Sequence, residues 1–243
     1  MREAIGLLER VDDLMLGGRK IIQREGEFCF SIDSVLIAHF PRLKNFFRVL
    51  DLGTGTGVIP LLIVDEVSKI HAIELNPIMA SIARRNVEIN SLDEKIEIVE
   101  GDYRSIKKFF RAESFDLVTV NPPYRALGSG EVNRARGVAN ARHEFTATLE
   151  DVITAARFAL KYHGVLCMIH IPERLCEIVD ALHRHQFEMK RLRLIQPKAA
   201  REPNLMLIEA MVGAHSGLKI LPPLIVHNDD GSYTEEIKKI YGL

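Results

Sequence analysis

Cysteine is scarce in this sequence of 243 residues. Its three cysteines are Cys29, Cys167 and Cys176, and none of them belongs to a CxxC pair. A disulfide framework or a zinc knuckle needs more cysteines at closer spacing, so we expect neither, and the sequence predicts no metal site. This cysteine usage is typical of a protein from a reducing compartment such as the cytoplasm.

The sequence also lacks a long apolar segment. No run approaches the ~20 apolar residues that cross a membrane. The N-terminus carries acidic residues at positions 3, 9, 12 and 13, where a signal peptide would be basic and then apolar. We therefore expect a soluble, cytoplasmic protein with no membrane partner.

Neither sign of charge dominates. Lysine and arginine total 32, aspartate and glutamate total 33, and the formal net charge is −1. This balance excludes a globally basic nucleic-acid-binding protein but allows a local basic face. Apolar residues make up 47% of the chain and charged residues 27%, which is typical of a folded globular domain and excludes a disordered chain.

Apolar β-branched runs alternate with helical periodicity through most of the chain, without an internal repeat. Strands that alternate with helices predict parallel pairing through right-handed crossovers, and therefore an α/β fold. The expected strands are 47–52, 69–74, 95–100, 115–120 and 165–170, and the expected helices are 58–67, 77–90, 148–162 and 172–185.

Two later strand-like stretches, 190–196 and 205–212, have no helix between them. They predict an antiparallel C-terminal hairpin at one edge of the sheet. A parallel sheet closed by such a hairpin is one domain. We therefore expect residues 1–243 to form a single domain, with an N-terminal extension over 1–45 and a C-terminal tail over 217–243.

A glycine-rich loop follows the first predicted strand, in the sequence Asp51-Leu-Gly53-Thr54-Gly55-Thr-Gly57. The dinucleotide fingerprint GxGxxG would need its third glycine at position 58, which is valine, so the spacing argues against NAD. The pattern resembles the first motif of class I S-adenosylmethionine (SAM) methyltransferases. Its glycines allow a ligand to approach the backbone closely, and the Asp51 carboxylate can meet the positive charge of SAM.

Two more acidic residues follow the next two strands. Glu74 ends the second strand, where a carboxylate can accept both ribose hydroxyls, and Leu75 is assigned to the same pocket. Asp102 follows the third strand, and in the resembled fold it faces the adenine amino group with Tyr103 beside it. Each acid alone could be a solvent-facing strand end. Together with the glycine loop they favour a pocket that binds SAM and its product S-adenosylhomocysteine.

The fourth strand ends in Asn121-Pro122-Pro123-Tyr124. Two prolines fix two φ angles and remove two N–H donors, so the carbonyls of this turn can face a substrate. The Asn121 carboxamide and the Pro122 carbonyl can accept both hydrogens of a planar NH2 group and aim its lone pair at a methyl group. Tyr124 offers a flat stacking face. We assign Asn121, Pro122 and Tyr124 as catalytic, with Asn121 also lining the cofactor site.

The Asn-Pro-Pro-Tyr motif resembles that of amino methyltransferases, which act on adenine N6, cytosine N4 or a protein glutamine amide. A basic segment over 125–142 leaves directly from it and contains only one acid, Glu131. The segment could contact the phosphates of RNA, or it could be a solvated face, and a second basic stretch over 184–201 allows the same alternatives. The expected RNA contacts are Arg125, Arg134, Arg136 and Arg142.

Most of the chain resembles the bacterial tRNA1(Val) adenine-N6 methyltransferases, including the segments 30–38, 141–144, 230–235 and 240–242 outside the motifs above. The resemblance implies a Rossmann-like class I methyltransferase fold with a seven-stranded, mostly parallel sheet. It also implies methylation of the adenosine 3′ of the anticodon in a valine tRNA, where a single-stranded base can be splayed out at low cost. Asp33 and Ser34 would lie near the SAM pocket, although a capped helix start is the simpler interpretation.

Other functions stay open. A release-factor-type protein glutamine-N5 methyltransferase would use the same motif, but that family usually has a helical domain before the glycine loop, and 50 residues precede Asp51 here. A non-catalytic SAM- and RNA-binding module and a ribosomal RNA methyltransferase are further alternatives. The oligomeric state is not encoded in these motifs, and a monomer is favoured.

Arg134 and Arg136 provide a test of the basic loop. Neutralising a phosphate releases counterions, so replacing both arginines by glutamine should reduce the salt dependence of tRNA binding, by about one unit of log–log slope for each phosphate that is no longer neutralised. Filter binding over a salt series measures this slope. An unaltered slope would show that these arginines do not contact RNA phosphates and would favour a solvated surface.

Overall fold

The computed structural model describes residues 6, 8–24, 31–122 and 147–243. Within these ranges no helix is both long and apolar enough to cross a membrane. The strands are β1 (Glu9–Asp13), β2 (Lys20–Arg24), β3 (Arg48–Leu52), β4 (Lys69–Glu74), β5 (Ile96–Glu100), β6 (Phe115–Val120), β7 (Leu160–His170), β8 (Phe187–Gln196), β9 (Leu205–Val212), β10 (Lys219–Ile220) and β11 (Leu224–Ile225). The α-helices are α1 (Ile32–Ala38), α2 (Val58–Ile63), α3 (Pro77–Ile89), α4 (Leu149–Ala159), α5 (Leu175–Arg184) and α6 (Glu235–Ile240), and short 3₁₀-helices cover Val64–Glu66, Tyr103–Lys108 and Pro172–Arg174.

The central sheet of the described chain has nine strands, in the order β10-β8-β9-β7-β6-β3-β4-β5, with β11 also paired with β8. β9 runs antiparallel to both β7 and β8, and the other strand pairs in this sheet are parallel. The seven longer strands, β3 to β9, confirm the predicted mostly parallel sheet with its antiparallel C-terminal hairpin.

The C-terminal tail adds two short strands outside that hairpin. Ile220 on β10 pairs with Leu192, and Ile225 on β11 pairs with Gln196, both in parallel with β8. They satisfy backbone N–H and C=O groups that β8 would otherwise expose at the edge. A two-residue strand has no alternating pattern, so the sequence does not reveal it.

Some boundary predictions are wrong. The strand expected over 190–196 begins three residues earlier, at Phe187. The helix expected over 148–162 ends at Ala159, and the strand expected from 165 begins at Leu160. The reason is tertiary, because Leu160 pairs with Phe115 on β6 ahead of an irregularity in the register, and His163 has a φ of 60° within it. Pairing across the sheet therefore overrides the helical pattern of this stretch. The helices expected over 58–67 and 172–185 are each divided into a 3₁₀ segment and an α-helix.

The sheet is buried between two helical layers. One face packs on α4 and α5, and the other packs on α1, α2 and α6. Cys167 lies fully buried in this core on β7. The layers cover the faces of the sheet, so the carboxyl ends of its parallel strands remain as the edge where a ligand can bind.

Segments on both sides of the sheet support this edge. Residues 9–24 form the hairpin β1–β2, which packs on α3. At the opposite side, Arg191 Nη1 on β8 lies 2.8 Å from Glu209 Oε1 and donates to the Phe40 carbonyl just after α1, at 3.1 Å. The guanidinium also lies 4.4 Å from the centre of the Phe40 ring. This largely buried ion pair therefore fixes α1 against the C-terminal hairpin.

Glu209→Ala should lower the free energy of unfolding by about 3 kcal/mol, because it leaves the Arg191 charge buried without its counter-charge. Denaturant unfolding followed by circular dichroism measures the change. Glu235→Ala is the control, since it breaks the exposed ion pair with Lys238 and should have little effect. Equal decreases in the free energy of unfolding would show that the Arg191–Glu209 pair contributes no more to stability than the exposed Glu235–Lys238 pair.

Candidate active site

The glycine loop turns sharply between β3 and α2. Gly53, Gly55 and Gly57 have φ angles of 67°, 58° and 84°, in the left-handed region that side-chain-bearing residues rarely adopt. A Cβ atom at Gly53 would lie 3.9 Å from the ring of Tyr103, and Thr54 is buried inside the turn. The backbone conformation thus requires glycine at the three positions that the motif specifies.

Asp51 is buried at the carboxyl end of β3, opposite Thr119 on β6. The Thr119 hydroxyl donates a 2.5 Å hydrogen bond to Asp51 Oδ1, whereas the buried Oδ2 accepts none within the described chain. Burial raises the pKa of Asp51 to about 7, and the hydrogen bond from the Thr119 hydroxyl opposes this shift. A buried carboxylate with an unused oxygen is suited to a cationic ligand, which would restore the solvation that the carboxylate has lost.

Glu74 ends β4 and supports the glycine loop. Its carboxylate accepts 2.8 Å hydrogen bonds from the backbone N–H groups of Gly55 and Asn76. Burial raises the pKa of Glu74, and these N–H donors oppose the shift. Each carboxylate oxygen has a second lone pair, so the arrangement still allows the predicted ribose contact. Leu75 is 45% exposed and presents apolar surface beside it.

Asp102 follows β5 and already has a partner in the protein. Its carboxylate accepts a 2.9 Å hydrogen bond from the Arg104 backbone N–H and a 2.8 Å hydrogen bond from Arg104 Nε. The guanidinium bond and the ion pair lower the pKa of Asp102, so it is ionised at neutral pH. The predicted contact of Asp102 with an adenine amino group would have to share this carboxylate with Arg104. Tyr103, next to it, is half-buried beside the glycine loop.

Asn121 follows β6 directly and lies at the same edge of the sheet as Asp51. It is half-buried, Pro122 is buried, and Asn121 Nδ2 lies 3.5 Å from Oγ of the buried Ser34 on α1. The structure therefore brings Ser34 beside Asn121 at this edge. Pro123 and Tyr124 lie outside the described residues.

The predicted RNA-binding arginines at positions 125, 134, 136 and 142 also lie outside the described residues, and their role stays a prediction. The second basic stretch, over 184–201, is described, and several of its side chains bind protein groups. These pairs are Arg184 with Glu150 and Asp180, Arg191 with Glu209, Arg193 with Glu236, and Lys198 with the Asp229 carbonyl. They favour a structural interpretation of this stretch.

Two polar residues at this edge are absent from the sequence-based site. Thr119 orients Asp51, and its only signal in the sequence is a hydroxyl inside an apolar strand. His170 is buried at the end of β7, where its Nδ1 accepts a 2.8 Å hydrogen bond from the Ile171 N–H. Burial and the nearby Arg174 lower the pKa of His170 to about 4, so its imidazole is neutral at neutral pH.

The fold and this edge together define a class I methyltransferase: a glycine loop after the first parallel strand, a buried carboxylate, and an Asn-Pro turn on the adjacent strand. A solved structure supports the fold. The crystal structure of a predicted O-methyltransferase from Agrobacterium tumefaciens superposes with a TM-score of 0.70, at 22% identity, over 86% of this chain and 95% of that one.

Sequence comparisons identify the family. The methyltransferase small domain family matches residues 21–187. A Porphyromonas gingivalis W83 protein named tRNA1(Val) (adenine(37)-N6)-methyltransferase is 30% identical over 198 residues, which cover 79% of this chain and 76% of the relative. A Bacteroides thetaiotaomicron protein of the same name is 27% identical over 214 residues, or 86% of each chain. The chain therefore belongs to the methyltransferase small domain family. Within it, the chain belongs to the tRNA1(Val) (adenine(37)-N6)-methyltransferase family. It is a SAM-dependent methyltransferase.

Asp51 leads to a testable pH dependence of stability. Its pKa of about 7 in the folded protein lies above the ordinary value of 3.8. Between these values the folded state keeps a proton that the unfolded state has released, so this group lowers stability as the pH rises through the window. Asp51→Asn removes the titration. The variant should be more stable than the parent at about pH 8, by a margin that narrows as the pH falls below about 7.

Denaturant unfolding of the ligand-free proteins at several pH values measures this margin. A margin that is constant with pH would show that Asp51 does not titrate in this range in the folded state.

Proposed function

We propose that this protein transfers the methyl group of SAM to N6 of an adenosine in tRNA, at the adenosine that follows the anticodon of a valine tRNA. One observation carries the proposal. The Asn121-Pro122 turn follows β6, and the adjacent strand β3 ends in the buried Asp51 and the glycine loop. Neighbouring strands lie about 4.8 Å apart, so methyl donor and acceptor groups would meet at this edge. The two relatives described above are named for the same reaction.

The described residues fit SAM. Among the described residues, Asp51 Oδ2 is a buried acceptor with no hydrogen-bond partner, which suits the positively charged part of the cofactor. Glu74 would accept the ribose hydroxyls while its N–H donors hold the carboxylate in place. Leu75 and Tyr103 would contact the adenine ring, and Asp102 would accept from its amino group. When bound, SAM supplies a methyl group on a positively charged sulfur, and this charge makes the methyl carbon electrophilic.

The Asn121 carboxamide would select and orient the amine. Because Nδ2 is directed towards Ser34 Oγ at 3.5 Å, Oδ1 lies on the other side of the amide. Oδ1 and the Pro122 carbonyl would accept the two hydrogens of the adenine amino group, which favours a pyramidal nitrogen and aims its lone pair at the methyl carbon. The amine becomes acidic as it is methylated, so no strong general base is required.

The remaining parts of the proposal concern the RNA. Tyr124 would stack on the splayed-out adenine, because every base has a π-face and anticodon-loop bases are single-stranded. Arg125, Arg134, Arg136 and Arg142 would contact phosphates around it. Because the proposed substrate is a tRNA, we expect the protein to act in the cytoplasm. We expect it to act as a monomer built from one domain.

Methyl transfer from labelled SAM tests the proposal. The protein is incubated with bulk unmodified tRNA and, separately, with release factor, and the tRNA is then analysed by nucleoside mass spectrometry. N6-methyladenosine confined to a valine tRNA is the expected result. Label in the release factor alone would support methylation of an amide by the Asn-Pro-Pro-Tyr motif and would contradict tRNA as the substrate. Label in neither would favour ribosomal RNA or a module without catalysis.

Asn121→Ala should lower kcat by at least ~100-fold, the scale for removing a polar group that stabilises a transition state. The affinity for SAM, measured by calorimetry, should be close to that of the parent. Glu74→Ala is the comparison variant, because it should weaken SAM binding instead. Turnover of Asn121→Ala at the parental rate would remove Asn121 from the mechanism.

A further inference from the structure

Asn86 on α3 is fully buried, with 0% of its surface exposed, and its carboxamide joins two separate segments of the chain. Oδ1 accepts a 2.6 Å hydrogen bond from the Ile22 N–H on β2. Nδ2 donates to the Ile22 carbonyl at 3.2 Å and to the Thr56 carbonyl at 2.9 Å. One side chain therefore binds the N-terminal hairpin and the glycine loop at once.

Asn90 lies one helical turn further along and makes only half of this connection. Its Oδ1 accepts from the Lys20 N–H at 3.0 Å, and its Nδ2 donates to the Lys20 carbonyl at 2.8 Å. Asn90 Nδ2 also donates to the backbone carbonyl of Asn86, four residues earlier in the chain, at 2.7 Å. Asn90 thus binds β2 in the same way as Asn86 but does not reach the glycine loop.

The Thr56 carbonyl belongs to the glycine loop, residues 53–57, whose backbone conformation the proposed SAM site requires. Thr56 lies between Gly55 and Gly57, whose φ angles are both positive. The Gly55 N–H is held by Glu74, and the Gly57 N–H donates to the Thr54 carbonyl at 3.0 Å. Asn86 adds the support from α3, and a glycine-rich turn needs such support because glycine itself restricts the backbone least.

We propose that Asn86 is a positioning residue for the SAM site, and that it makes the N-terminal hairpin part of the cofactor-binding structure. The inference rests on the proposed function, since it takes the glycine loop to be the SAM-binding loop. Without the Asn86 carboxamide, the Thr56 carbonyl and both backbone groups of Ile22 are left buried without this partner. The loop then populates conformations that do not bind SAM, and affinity falls by the fraction of molecules in them.

The matched pair Asn86→Ala and Asn90→Ala tests this inference. Both variants release β2 and should lower the melting temperature. Only Asn86→Ala should raise the Kd and KM for SAM, by about tenfold, the scale for removing one hydrogen bond of a buried group. Its kcat at saturating SAM should stay near the parental value, because Asn86 does not contact the acceptor. Calorimetry with SAM and initial-rate kinetics measure these quantities.

Hydrogen exchange of the ligand-free proteins gives a readout that does not depend on activity. Asn86→Ala should increase exchange at the amides of residues 53–57, whereas Asn90→Ala should not. If Asn86→Ala does not fold, Asn86→Ser keeps a small polar side chain that is too short to span Ile22 and Thr56, and it should show the same SAM and exchange effects.

The outcomes separate the two proposals. Equal SAM affinity in the Asn86 and Asn90 variants, with tight binding by the parent, would overturn the role of Asn86 and leave the proposed function intact. A parent protein that does not bind SAM would overturn the proposed cofactor site itself. Increased exchange at the loop in both variants would show that the hairpin, and not the Asn86–Thr56 bond, controls the loop.

Discussion

The parallel pairing of β3 between β4 and β6 is the constraint on which the rest of the structure depends. Asp51 lies opposite Ala72 on one side and opposite Thr119 on the other, so the ends of these three strands meet at one edge. A shift of one residue in either pairing would turn the facing side chains to the opposite side of the sheet. The glycine loop, Glu74 and Asn121 are neighbours because this register is held by a buried core.

This edge contains buried carboxylates whose charge and hydrogen-bonding capacity the protein alone does not fully compensate. Burial raises the pKa of both Asp51 and Glu74, and one oxygen of Asp51 has no hydrogen-bond partner within the described residues. Such groups lower the stability of the ligand-free fold, and they cluster at functional sites because a ligand can supply what they lack. A cation bound at this edge would favour the ionised form of both carboxylates.

Segments outside the sheet contribute to the same site from different directions. The hairpin β1–β2 reaches the glycine loop through Asn86, and α1 reaches Asn121 through Ser34. The C-terminal hairpin holds the chain after α1 through Arg191 and Phe40. The hairpin β1–β2 and α1 lie outside the central sheet and support the proposed active-site edge, and the sheet's own C-terminal hairpin holds the chain that follows α1.

The sequence by itself determined the parts that depend on local chemistry. The spacing of Gly53, Gly55 and Gly57 predicted a glycine-rich turn open to a ligand, and alternation with helical periodicity predicted the order of the elements. Tertiary structure decided what depends on distant partners. Thr119 faces Asp51 only through strand register, Asn86 meets Thr56 only because α3 packs beside the loop, and β10 and β11 exist only because β8 has an open edge. Hydrogen bonds between residues far apart in the chain leave no periodic pattern in it, and this is why the sequence could not reveal them.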